Sequence, residues 1–215
     1  MRAITVILVL LLAFAVVAVA DEAVTREKAL GQLADKNNAE ARRLGVIGLG
    51  DMGKMEDIPL LVQALRDPDE VVRLLAGRSL WEVWSRSGDP DVDVLFQRGL
   101  AQMNGHDLDG AIETFSQIIQ KKPDFAEGWN KRATLYYLAG EFQKSLADCE
   151  EVIRRNPVHF GALSGFGLIY LRIGKPEQAL DYFERALAVN PNLAGIRATI
   201  EELKQFLEER RRNSA

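Results

Sequence analysis

Cysteine occurs once in the 215 residues, at Cys149, so no disulfide can form within the chain and its stability must come from packing. Histidine is almost as scarce. Only His106 and His159 are present, which leaves little material for a metal centre or for histidine-based catalysis. Neither sign of charge dominates, since 27 Lys and Arg face 31 Asp and Glu for a formal net charge of −4. No basic surface for nucleic acid is expected. With 47% apolar residues the chain can still bury real cores.

Long apolar runs are also missing, with one exception. After Arg2 an uncharged run extends from Ile4 to Ala20 and ends "AVA" before Asp21. The small residues Ala18 and Ala20, with a charged sequence after them, fit a secretory signal over residues 1–20. The alternative is an uncleaved anchor, because this uncharged run of 17 residues sits at the short end of the ~17–25 that span a bilayer. That segment is the only expected contact with a membrane. Either way the remainder is expected to be exported, as a periplasmic or secreted protein. No cysteine stands at the cleavage point to take a lipid.

What the sequence does contain is a period. Pro123, Pro157 and Pro191 are evenly spaced, and other positions keep step with them. Small residues Ala111, Ser145 and Ala179 precede each proline at one fixed distance. Phe115, Cys149 and Phe183 do so at a second, and Gly99, Ala133 and Gly167 at a third. Each unit reads as two helices with a break. In the middle unit Trp129, Ala133, Tyr136 and Tyr137 follow helical spacing, and Gly140 is placed to end the helix with a left-handed cap. Phe142, Leu146, Cys149, Val152 and Ile153 then share one face until Asn156-Pro157 stops the second helix. Small residues at 133 and 145 let the two helices approach closely.

These residues resemble the tetratricopeptide repeat. Trp129, Ala133, Tyr136, Gly140 and Pro157 carry the match in the second unit (126–159), and Gly167, Tyr170, Gly174, Ala179, Phe183, Ala186 and Pro191 in the third (160–191). The first unit (92–125) departs from it, with Leu95 in place of the tryptophan and Gln102 in place of the tyrosine. The wording is also similar to small exported bacterial repeat proteins. After the repeats, residues 192–215 place Leu193, Ile196, Ile200, Leu203 and Leu207 on one face, as a helix covering the apolar end of the array would. Arg210, Arg211 and Arg212 suit the negative end of its dipole.

Residues 21–90 resemble HEAT repeats. A helix containing Ile58, Leu60, Leu61 and Leu65 is followed by an Asp67-Pro68 break and a second helix capped by Asp69, with Val72, Ala76, Leu80 and Val83 on its inner face. Ala41-Arg42, Gly45 and Leu49 echo Val72-Arg73, Ala76 and Leu80. Between them Gly48, Gly50 and Gly53 spell the G-x-G-x-x-G spacing that cradles a dinucleotide pyrophosphate. That use needs a strand before the glycines and a second strand ending in an acid, and "KMEDIPLLVQALRDPDE" supplies neither. In the HEAT register Gly45 and Gly48 face close helix contacts, whereas Gly50 and Gly53 supply positive φ in a loop. No cofactor and no enzymatic activity are expected.

The remaining polar clusters have plainer explanations. Asp89, Asp91 and Asp93 alternate as in a calcium loop, but Val94 and Leu100 stand where glycine and glutamate are needed, so helix capping explains them. His106 with Asp107 and Asp109 falls at a hairpin turn without a second metal-binding cluster. His159 opens the third repeat, and Cys149 occupies a packed position.

The expected fold is therefore all-α, a right-handed α–α superhelix of HEAT-like hairpins, three tetratricopeptide hairpins and a C-terminal capping helix. The resemblance implies a concave groove lined by the first helix of each repeat. Carried onto this chain, its positions are Asp93, Phe96, Leu100 and Met103, then Glu127, Asn130, Thr134 and Tyr137, then Gly161, Ser164, Leu168 and Leu171. This groove is mainly apolar with a polar middle. Repeats that grip a C-terminal carboxylate use Lys, Arg and Asn there, and only Asn130 and Lys131 come near that. The implied function is a scaffold holding a peptide segment of another protein in the cell envelope. The alternative is a structural subunit, alone or as a homo-oligomer, whose groove is filled by its own C-terminal helix or a neighbour's.

Overall fold

The computed structural model describes residues 25–213, and every regular element among them is helical. The N-terminal part contains α1 (Arg26–Leu33), α2 (Ala39–Met52), α3 (Ile58–Ala64) and α4 (Glu70–Trp84). Three further hairpins follow: α5 (Pro90–Asn104) with α6 (Leu108–Lys121), α7 (Ala126–Leu138) with α8 (Phe142–Arg155), and α9 (Phe160–Arg172) with α10 (Pro176–Val189). Helix α11 (Ala194–Asn213) ends the described chain. The hairpins stack as a tetratricopeptide-like superhelix. The apolar run proposed as a signal lies outside the described residues. Among the described residues no helix is long and apolar enough to cross a membrane.

In the repeating half, the periodic positions of the sequence meet face to face. A Cβ added to Gly99 would come within 2.7 Å of Phe115 Cζ, and one on Gly167 would overlap the ring of Phe183. The middle hairpin solves the same problem with smaller groups on both sides, since Ala133 and Cys149 share its buried cluster. There Ser145 Oγ donates to the Ala133 carbonyl at 2.7 Å, which satisfies a buried hydroxyl at the closest approach of the two helices. Arg132 adds a forked link from α7, donating to both Asp148 oxygens at 2.8 Å and to Ser116 Oγ at 3.0 Å. Gly140 has φ +76, the left-handed cap expected after α7.

The N-terminal half is ordered around its Asp-Pro turn. Arg42, buried to 8% exposure, forks onto Asp67 and also donates to the carbonyls of Asp35 and Lys36, while Arg43 forks onto Asp69. Asp69 caps α4 by accepting from the Val72 amide at 2.9 Å. The glycine segment departs from expectation. Helix α2 runs on through Gly50, and Gly53 has φ −64, so neither residue supplies a positive φ. Both are needed for close approach instead. A Cβ on Gly50 would press on Ser79 Oγ at 2.7 Å, and one on Gly53 would collide with the Leu49 carbonyl. Continuous helix here also removes the strand-and-turn geometry that a pyrophosphate site requires.

Helix α11 buries Ile200, Leu203 and Leu207, and Ile200 and Leu203 join Ala179 and Phe183 of α10 in one cluster. Leu193 was expected on the same face. It precedes the helix and packs instead against the N-terminal core, next to Val189.

Candidate functional site

The first helices of the hairpins line the inner surface, but the N-terminal half occupies one end of it. Trp81 and Trp84 of α4 reach the start of α9, where Trp84 stacks on His159 (centroids 4.4 Å apart) and Trp81 meets Phe160 edge-on at 5.6 Å. Gly161 makes room for this contact, because a Cβ there would overlap Trp81 Cη2. Polar bonds fix the same docking farther along. Arg66 donates to the carbonyls of Ala188 and Val189, and the Asn192 amide donates to the Leu65 carbonyl at 2.8 Å.

Beneath the two tryptophans lies a polar cluster with no exposed side chain at its centre. Glu127 and His159 are both 0% exposed and meet at 2.9 Å between Oε2 and Nε2. His159 Nδ1 accepts the Ala162 amide at 3.0 Å and so caps α9, which leaves Nε2 as the protonated nitrogen that donates to Glu127. Lys131 Nζ lies 2.8 Å from the other carboxylate oxygen, and the Asn130 amide bonds both oxygens at 3.1 Å. Burial pushes the Glu127 carboxyl up, but the bonds from His159 and Lys131 outweigh it and hold the group below the usual carboxylate range.

Past this cluster the inner surface opens into a cavity of about 170 Å³ between α7 and α9. Asn130, Thr134 and Tyr137 form its α7 wall, and Ser164 and Leu168 its α9 wall. Gly165, Cys149 and Ile169 also line it. Leu168 is 43% exposed and presents an apolar contact. Burial pushes the Cys149 thiol up to about 12, so it lines the cavity as a neutral, unreactive group.

Six residues expected in the groove are thus brought together there: Asn130, Thr134, Tyr137, Gly161, Ser164 and Leu168. The others are not. Phe96 is 1% exposed and packs edge-on against Phe115 and Phe125, which closes the first hairpin's inner face into core. Leu100 and Met103 pack against that same core, and Leu171 joins the α10–α11 cluster. Glu127 is turned inward to His159, and Asp93 accepts from the Ser87 amide and hydroxyl. Trp81, Trp84 and the Glu127–His159 pair were missed by sequence reasoning. One signal was available: His159 is polar where the equivalent positions of the neighbouring units are Phe125 and Leu193.

Comparisons agree with this architecture. A tetratricopeptide repeat model matches residues 124–192, and a HEAT repeats model matches residues 27–114, reaching past α5 into α6. The chain is similar to a TPR repeat-containing protein of Rhizobium etli, 34% identical over 126 residues, 59% of this chain and 61% of that protein. It therefore spans less than two thirds of that relative. Among solved structures, the Sgt2 TPR domain of Aspergillus fumigatus superposes with a TM-score of 0.55 at 23% identity, over 59% of this chain and 85% of that one. The first TPR of Spaghetti (RPAP3) bound to the HSP90 peptide SRMEEVD superposes with a TM-score of 0.53 at 23% identity, over 54% and 93%. The fold defines a helical repeat protein built of stacked hairpins. More particularly, its C-terminal part resembles tetratricopeptide repeats and its N-terminal part HEAT repeats.

Proposed function

We propose that this protein is a non-catalytic scaffold that holds a short extended segment of a partner protein against α7 and α9. The observation that carries the reading is the open cavity with hydroxyl and amide groups beside exposed Leu168. A peptide placed there gains an apolar anchor from Leu168, and its backbone amides can donate to Asn130 Oδ1 and to the hydroxyl oxygens of Thr134 and Ser164, whose own protons go to the Asn130 and Phe160 carbonyls. An acidic C-terminal tail is a poor fit. The two groups that would grip its carboxylate, Asn130 and Lys131, already bind Glu127 of the same chain. We count α5–α6 as a first, divergent tetratricopeptide unit, because it keeps the proline spacing.

Export is part of the same proposal, and it rests on the apolar run Ile4–Ala20 after Arg2. A cell-envelope partner follows from that placement. The self-filled reading gains support at one end of the groove only, where Trp81 stands in place of a ligand. The occupant there is the HEAT segment, not the C-terminal helix.

The test is selection of displayed random peptides on the purified protein, with a Leu168→Ser variant as counter-target. Expected are neutral peptides sharing an aliphatic anchor that lose most of their binding to the variant. Peptides that bind both proteins equally, or no enrichment at all, would reject the site.

A further inference from the structure

A second cavity, of about 140 Å³, lies at the seam between the two halves of the molecule and plays no part in the groove. It is bordered by Trp84 and Arg86 from the end of α4, Lys122 and Asp124 from the α6–α7 turn, and Arg155 and Asn156 from the end of α8. Two of these side chains carry buried donors with no hydrogen-bond partner among the described residues, Trp84 Nε1 and Asn156 Nδ2. Both residues are only 3% exposed. Buried donors are ordinarily satisfied, so two orphans lining one cavity mark a place built to receive acceptors.

The charge around the cavity selects which acceptor. Three cationic side chains line it against the single acid Asp124. Arg86 holds the carbonyls of Gly50 and Gly53 and Arg155 holds the Pro123 carbonyl, so both are fixed in place, with the Arg155 charge already paired to Glu151. Lys122 is less engaged. Its ion pair with Asp124 is 4.0 Å long, and Asp124 is itself well exposed. A neutral indole N–H, a neutral amide and the cations Arg86 and Lys122 suit an anion whose oxygens accept several hydrogen bonds. A site near 150 Å³ encloses a molecule about the size of benzene, enough for phosphate or a four-carbon acid.

We propose that this seam cavity binds a small oxyanion, either inorganic phosphate or the carboxylate end of a short organic acid. Residues from both halves contribute to it, so the bound anion also ties the HEAT segment to the repeats.

The indole N–H signals of the full chain provide a direct test. There are three tryptophans, and because Trp129 Nε1 donates to the Pro123 carbonyl that also accepts from Arg155, the internal control is taken from the backbone amides of α11, which contributes nothing to the cavity. Sodium phosphate and sodium succinate are titrated separately at constant ionic strength, with sodium chloride as the reference. A saturable shift of the Trp84 signal with either anion is expected, and the anion that produces it identifies the source of the oxygens. Lys122→Gln and Asn156→Asp should each weaken that binding about tenfold or more, as loss of a hydrogen bond to a charged group does. Their circular dichroism and the α11 amide signals should stay unchanged, which separates lost binding from lost fold. If chloride shifts the signal equally, if neither oxyanion saturates, or if the folded variants bind as well as the parent, the proposal is overturned.

Discussion

Trp84 of the HEAT segment stacks on His159 of the third hairpin, with planes 22° from parallel, and His159 in turn holds the buried carboxylate of Glu127. One imidazole thus does three things: it packs, it caps α9, and it donates a hydrogen bond to a buried acid. His159→Phe keeps the stacked ring and removes both polar functions. The expected loss is about 2–3 kcal/mol, below the ~3–5 kcal/mol for stripping a buried charge of a partner, because Lys131 and Asn130 remain on the carboxylate. Urea denaturation measures this. A loss under about 1 kcal/mol would show that the pair contributes little beyond packing.

Acid should unfold the protein from several sites at once. The Glu127 carboxyl lies below its ordinary range despite burial, and those of Asp57 and Asp67 do so chiefly through bonds from Arg26 and Arg42. Asp69 is lowered to about 2, first by Arg43 and then by the Val72 amide it caps. A carboxyl with a depressed folded pKa stabilises the fold above its unfolded value, about 3.9 for Asp and 4.3 for Glu, and that contribution disappears as pH falls toward the folded value. Stability from these groups is therefore expected to be level between about pH 5 and 7, then to fall steadily from about pH 4 toward pH 2. Asp69→Asn should flatten the most acidic part of that curve. Chemical denaturation at a series of pH values checks both statements, and a protein that gains stability on acidification would contradict them.

Removal of residues 194–215 should make α10 adhesive. Phe183 and Ala179 lose their cover of Ile200 and Leu203, and an uncovered array end exposes contiguous apolar surface. Leu193 is kept in this truncation because it belongs to the N-terminal core. Light scattering after size exclusion should show association or aggregation at concentrations where the full chain shows none. A truncated chain that is monomeric and equally stable would mean that α11 does not act as a cap.

The periodic half of this fold was legible because each unit repeats the same local solution. Gly99 with Phe115, and Gly167 with Phe183, occupy matching steps along the chain, so a ruler laid on the sequence finds them. The glycines of α2 were misread for a physical reason. Glycine permits either a left-handed turn or a close approach, and at Gly50 it is the facing side chains of Ser79 and Glu82, far along the chain, that decide between them. The groove was partly legible. Its register places Asn130, Thr134, Tyr137, Gly161, Ser164 and Leu168 at one cavity, but the side chain of Phe96 goes wherever Phe115 and Phe125 leave room, and that depends on residues outside its own helix. Docking of Trp81 onto Gly161 has no local signal at all, since neither residue's own helix requires the other.

Gly165 offers the sharpest test of the peptide site, since it lines the cavity yet has room for a side chain. An added Cβ would lie 3.6 Å from Cys149 Sγ, an ordinary contact. Gly165→Ala should therefore stabilise α9 by about 0.5–1 kcal/mol, the usual gain of alanine over glycine inside a helix. For a chain of this size that raises the thermal midpoint by about 1–4 °C. Gly165→Leu uses the same opening to push a branched side chain into the space proposed for the ligand's anchor. Its stability should stay within about 1 kcal/mol of the parent, since the side chain fills a void and does not displace a neighbour. Fluorescence anisotropy with a peptide selected on the parent protein then separates the outcomes. Binding kept by Gly165→Ala and lost by Gly165→Leu places the anchor between α7 and α9. Binding kept by both variants would place the partner elsewhere, leaving the cavity as a packing defect of a self-contained scaffold.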